Sequence, residues 1–227
     1  MTTNLFTAPA AVFAREARLA WAGGGGPAGP AAFNLAALAL FPLALGPETE
    51  ALAQAAPGVV AFALLLSVLQ PAERLFGEDA FDGTLELYAA SGAGFALVCL
   101  AKTLAFALAV FWPAPLLAFL GGVAYGMTPA AALVLAFALL LAAPGLALIA
   151  AFAAALSAGV KRAGLLIALI AAPLQAPLLV FAAGAGRAAQ DGTGLAAANL
   201  MLAAAGSLAA LALVPAGVAA ALKARLE

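Results

Sequence analysis

The chain contains no histidine, a single cysteine and very little charge. Only 8% of its 227 residues are Asp, Glu, Lys or Arg, whereas 67% are hydrophobic. Each shortage excludes something. Without histidine the commonest general base and metal ligand are gone. Cys99 alone forms no internal disulfide, and its apolar neighbours mark it as a small buried hydrophobe. A formal net charge of -1 leaves no basic footprint for nucleic acid. No G-x-x-x-x-G-K-[ST] motif occurs, and the glycine run Gly23–Gly26 leads into Pro27 rather than lysine, so no phosphate-binding loop is read. The first apolar span begins too late, with no evident cleavage pattern, for a cleavable signal peptide. Targeting is therefore expected to rest on that uncleaved span.

What the chain does have is long, continuous apolar sequence. Soluble domains carry about a quarter charged residues; this chain has too little polar surface to face water on all sides, so hydrocarbon is its expected solvent. Only helices and closed barrels satisfy their backbones there, and unbroken apolar runs, not alternating ten-residue segments, point to helices. The expected fold class is an all-α membrane protein forming one transmembrane domain over residues 1–227. Six spans are predicted: Ala31–Leu45, Leu52–Leu69, Ala93–Leu120, Ala130–Ala158, Gly164–Ala183 and Leu195–Leu222. Alanine is only weakly hydrophobic, so individual spans are expected to depend on neighbours, other chains included. Before them, Pro9–Trp21 reads as a short amphipathic helix lying in the membrane surface.

Charge sets direction. With a cytoplasmic amino terminus, Arg15, Arg18, Arg74, Lys102, Lys161, Arg162, Lys223 and Arg225 all fall inside, and only Arg187 of the nine basic residues falls outside. The positive-inside rule favours this arrangement, with both termini cytoplasmic.

The connection Glu73–Tyr88, reading ERLFGEDAFDGTLELY, holds Glu73, Glu78, Asp79, Asp82 and Glu86 together with Leu75, Phe76, Phe81, Leu85 and Leu87. Gly77 and Gly83 are expected to divide it into short helical pieces. Its apolar side chains rest on the bilayer or enter a partner's groove. Five carboxylates facing an anionic leaflet favour a protein partner. Lys102, at the start of the third span, either snorkels to the interface or pairs with a loop carboxylate such as Glu86. Pro173, Gln175 and Pro177 interrupt the fifth span near its middle, either as a transport path or as a packing kink; Pro113, Pro115 and Pro144 are weaker cases. Lys161 and Arg162 are interface charges. Ser157 lies one helical turn before Lys161, but a lysine beside Arg162 at the wet interface stays protonated, so a nucleophile pair is not expected. The chain reads as a non-enzyme.

Four blocks carry a family resemblance: FPLALGPE (Phe41–Glu48); APGVV with ERLFGEDAFDGTLE (Ala56–Glu86); LAK (Leu100–Lys102); and VKRAGLL through PLQAPLLVF (Val160–Phe181). In these the chain resembles the CcmB family, permease subunits of the cytochrome c maturation ABC system. Its first thirty and last forty residues match in character only, and Val110–Leu140 matches loosely, so no role is carried onto them. The resemblance implies a type-2-like ABC permease fold in the bacterial inner membrane. Pro9–Trp21 would be its elbow helix and Glu73–Tyr88 its coupling loop, with Glu73, Arg74, Phe76, Asp79, Asp82 and Glu86 contacting a separate CcmA-like ATPase. Phe76 would anchor in a groove of that ATPase, and the carboxylates would pair with its basic residues. It further implies CcmC-, CcmD- and CcmE-like haem-handling partners, contact with membrane lipid, two copies per complex, ATP on the partner, and haem as cargo rather than a resident cofactor. ATP hydrolysis would drive haem export or release of the haem-loaded chaperone; the alternative is a scaffold that only transmits ATPase motion.

Overall fold

A computed structural model describes residues 7–22, 28–46, 48–90 and 94–226. Among these, every regular element is α-helical: α1 Thr7–Ala22, α2 Ala28–Leu45, α3 Thr49–Asp82, α4 Thr84–Ala90, α5 Phe95–Phe111, α6 Ala114–Ala124, α7 Pro129–Leu156, α8 Gly164–Asp191 and α9 Ala196–Leu226. Six apolar stretches are long enough to cross a bilayer, with α5 and α6 together making the third. The six expected spans and the preceding short helix are therefore present.

Which prolines interrupt a helix is decided by what surrounds them. The third span divides at Trp112–Pro113, between α5 and α6. Pro173 and Pro177, expected to break the fifth span, do not: α8 is continuous from Gly164 to Asp191. The two are four residues apart and both exposed, so they share the outward face. Their missing amides are lost on that face while the inward ladder persists. Pro144 likewise sits within an unbroken α7.

Helix α7 is the centre of the bundle, packed by α3, α6, α8 and α9. Its buried face is mostly alanine, with Leu135, Leu139 and Leu146 as larger members. Small residues let backbones approach closely, which supplies packing where lipid offers no hydrophobic drive. A Cβ added at Gly186 of α8 would stand 2.9 Å from the Leu135 Cβ of α7, so glycine is what that crossing allows. At the periphery, Tyr125 Oη donates to the Leu38 carbonyl and fastens α2 to the end of α6.

Helix α1 packs on α5 at two levels. Glu16 reaches Lys102, and Trp21 stacks on Trp112 with ring centroids 5.7 Å apart. Those α5 positions are ten residues apart, about 15 Å along a helix.

Polar and charged contacts gather at the two ends of the bundle. At one end Lys102 meets α1 and α3, Arg225 of α9 donates to the Ala158 carbonyl, and a Cβ on Gly164 would lie 3.0 Å from Glu73 Oε2. At the other end Arg187 Nη2 donates to the Gln54 carbonyl at 3.1 Å, and Gln190 Oε1 accepts from the Thr128 amide at 2.9 Å.

Candidate functional site

Helix α3 runs on past its apolar section as one rod to Asp82. Gly77, expected to interrupt it, lies within the helix. Glycine costs a helix interior about 1 kcal/mol relative to alanine, and here that is offset by the continuous buried stripe of Ala72, Leu75, Phe76 and Asp79. Only Gly83 ends the rod, in the left-handed conformation at φ +79°. Asp82 Oδ1 then accepts the Thr84 amide at 2.9 Å and opens α4. The segment is thus a helix, a one-residue corner and a second short helix.

This geometry separates the acidic segment into two faces. Phe76 is fully buried and Asp79 is 4% exposed, so both are held inside the chain. In this structure Phe76 is a core residue rather than a protruding anchor, and Asp79 already has an internal partner. Glu73, Arg74, Glu78, Asp82 and Glu86 are exposed, as are the apolar Phe81 and Leu87. Leu85 turns inward and fixes α4 against the bundle.

The internal partner of Asp79 is Lys102. Lys102 Nζ stands 2.5 Å from Asp79 Oδ2 and 3.3 Å from Glu16 Oε1. Lys102 is 4% exposed, so it does not snorkel, and its carboxylate is Asp79 rather than Glu86. The reason is register: α3 and α5 meet with Asp79 level with Lys102, while Glu86 lies past the corner on the exposed side of α4. The junction extends outward. Arg15 Nη1 donates to Glu16 Oε1 and to Tyr88 Oη, each at 3.1 Å. Burial raises the pKa of the Tyr88 phenol, keeping it a neutral hydroxyl. Four helices, α1, α3, α4 and α5, are tied through these five side chains.

Local sequence assigns no role to Glu16 or Tyr88. A signal for the ionic core was nonetheless present. Glu16 follows Val12 and Phe13 by one turn, Asp79 follows Leu75 and Phe76, and Lys102 lies between Val98, Cys99, Ala105 and Phe106. Each charge occupies the apolar stripe of its helix, where only a paired charge is tolerated.

Gln175 is fully buried, on the face of α8 opposite Pro173 and Pro177. Its Nε2 donates to the Leu146 carbonyl of α7 at 2.7 Å, while its Oε1 has no partner among the described residues. Close by, Ser207 of α9 bonds the backbone of α7. Its Oγ accepts from the Gly145 amide at 3.3 Å and donates to the Leu141 carbonyl at 2.7 Å.

Lys161 and Arg162 are exposed in the α7–α8 turn, with Arg162 in the left-handed region at φ +60°. Ser157 is buried and its hydroxyl has no hydrogen-bond partner among the described residues, so it is not joined to Lys161. Arg225 Nη1 closes this turn at 2.5 Å from the Ala158 carbonyl, lying where Gly159 presents no Cβ.

A bundle with six bilayer-length helices, a polar junction at one end and an acidic–apolar corner beside it is a multi-pass helical membrane protein. The chain belongs to the CcmB family: the model of that family, "CcmB protein", matches residues 7–225. Among curated proteins it is similar to "Heme exporter protein B" of Pseudomonas aeruginosa, 41% identical over 141 residues that cover 60% of this chain and 61% of that one. It is similar to the protein of the same name from Escherichia coli K12, at 42% over 94 residues, 41% of this chain and 43% of that protein. The Rhodobacter capsulatus protein of that name is 37% identical over 137 residues, 60% and 63% of the two chains. Each of these alignments spans less than two thirds of the relative's length.

Proposed function

We propose that this chain is the membrane permease subunit of an ABC assembly for cytochrome c maturation. ATP is hydrolysed on a separate cytoplasmic, CcmA-like chain, and haem is the cargo, or the ligand of a periplasmic chaperone that the assembly releases. The chain sits in the bacterial inner membrane with both termini cytoplasmic, in two copies per complex, beside CcmC-, CcmD- and CcmE-like proteins. The haem-exporter names of its relatives support the cargo class.

The observation that carries the reading is the corner at Gly83 and the junction behind it. Phe81, Asp82, Glu86 and Leu87 face outward together, two aromatic or aliphatic groups among carboxylates. Such a surface suits a groove rimmed by basic residues. Glu73 and Arg74 flank it. Phe76 and Asp79 act from inside: Phe76 seats the rod in the core, and Asp79 links it to α5 and, through Lys102, to α1. A push on the corner then moves three helices as one body instead of bending a loop.

The scaffold alternative draws support from Gln175. It is locked to Leu146 in a packed interior, and its flanking prolines face away from it. On that reading the bundle transmits motion to a haem-handling partner and carries nothing through itself.

The test is retention of the ATPase. Phe81→Ala with Leu87→Ala removes exposed apolar groups only, so membrane insertion is retained and copurification of the ATPase falls about tenfold or more, as for loss of interface anchors. Undiminished copurification would falsify the assignment of the corner as the coupling surface.

A further inference from the structure

A cavity of about 260 Å³ opens between α1, α3 and α5, next to the buried junction. Its polarity is graded along its length. Glu16, Arg74, Glu78 and Lys102 line one end, and Ala109 and Val110 of α5 line the other. From Lys102 to Val110 is eight residues, about 12 Å of helix. The apolar end therefore approaches Trp112, whose ring lies 5.7 Å from that of Trp21 between centroids.

The charges at the polar end do not all cancel internally. Arg15 and Lys102 are matched by Glu16 and Asp79. Arg74 and Glu78 are left, both exposed, one turn apart on α3, and neither makes an ion pair among the described residues. One free cation and one free carboxylate stand beside a hydrocarbon slot. We infer that this cavity is a binding site for a zwitterionic phospholipid of the phosphatidylethanolamine type, with its phosphate on Arg74, its ammonium on Glu78 and an acyl chain along Ala109 and Val110.

The charge pattern decides the headgroup class. A purely anionic headgroup would satisfy Arg74 but meet the carboxylate of Glu78. A cationic amphiphile would do the reverse. Only a group carrying both charges pairs both residues, and guanidinium is well suited to phosphate. The bound lipid would wedge α1 against α3 and α5, adding to the contacts around Lys102. The site stands independently of what the assembly transports, since it needs only a bilayer.

The test uses the purified full-length chain in detergent, titrated with phosphatidylethanolamine and phosphatidylglycerol, with retained lipid counted by native mass spectrometry. The natural chain retains phosphatidylethanolamine in preference. Arg74→Gln reduces retention of both lipids about tenfold, the scale of a lost charge-assisted contact. Glu78→Gln inverts the preference toward phosphatidylglycerol. Ala20→Trp, which fills the slot from α1, lowers retention of both without altering charge. Equal retention by all four proteins would mean ordinary annular lipid and overturn the site. Competition by soluble phosphoethanolamine at concentrations equal to those of the lipid would also overturn it, because the acyl slot would then contribute nothing.

Discussion

Two polar sites are buried in this bundle, and they are built on opposite plans. The junction at Lys102 is ionic, lies at one end, and joins side chains up to 86 residues apart in sequence. The knot at Gln175 and Ser207 is neutral, lies within the helices, and binds side chains to backbone. In the first, every partner but the Tyr88 hydroxyl is itself a charge that requires its counterpart. In the second, the partners are carbonyls and one amide of α7, which have helical neighbours to fall back on. An ionic link fails abruptly when one member is removed, whereas a side-chain-to-backbone link fails gradually. That is why elements that must move together suit the first plan, and elements that only need to stay packed suit the second.

The largest effect is therefore expected at Lys102. Lys102→Met strands Asp79 in a low-polarity setting and leaves Glu16 with Arg15 alone, and breaking a buried pair costs about 3–5 kcal/mol. Thermal unfolding in detergent should show a clear fall in Tm, with α1 becoming accessible to protease. Adding Asp79→Leu to Lys102→Met removes the stranded charge closest to the lysine and should recover much of the loss. If the double variant is as unstable as the single, the junction is held by packing rather than charge, and the contrast between the two sites disappears.

The same contrast explains what could be read without the structure. Six spans were legible because apolar runs in lipid have one helical solution. The interior of the acidic segment was less so. Glycine at 77 and prolines at 173 and 177 are locally unfavourable to helix, and local propensity pointed to breaks at both places. Packing overrode it in each case, through the stripe Ala72–Leu75–Phe76–Asp79 and through the inward face of α8 around Gln175. Lys102 plainly needed a carboxylate, but the segment offered five. Choosing Asp79 over Glu86 required knowing that α3 stays straight as far as Gly83. Glu16 was further out of reach, since nothing local relates a surface helix to a span 86 residues later.

An intermediate effect is expected where the neutral knot depends on close approach. A Cβ on Gly145 would fall 2.9 Å from Ser207 Oγ and 3.0 Å from the Ser207 Cα, and the second of these is backbone that cannot rotate away. Gly145→Ala should push α9 from α7 and cost about 1–3 kcal/mol, as overpacking does. Loss of Tm without loss of ATPase copurification would place the knot outside the coupling surface, as the comparison requires. Loss of both together would mean that the two ends of the bundle are mechanically one.

The smallest effect is expected at Gln175, and it separates function from packing most cleanly. Its Nε2 contributes one hydrogen bond to a carbonyl, while its Oε1 is buried without a partner among the described residues and carries a desolvation penalty. Gln175→Leu has nearly the same volume and removes both terms. Interhelical polar contacts in membranes average about 0.6 kcal/mol, so Tm should shift by little in either direction. Transport is then the informative readout. If haem passes along this part of α8, an amide replaced by an isobutyl group changes the surface it meets, and periplasmic c-type cytochrome levels fall while Tm holds. Unchanged cytochrome levels at unchanged Tm leave Gln175 as packing alone, and the bundle then acts from its charged end, as a transmitter with a closed interior.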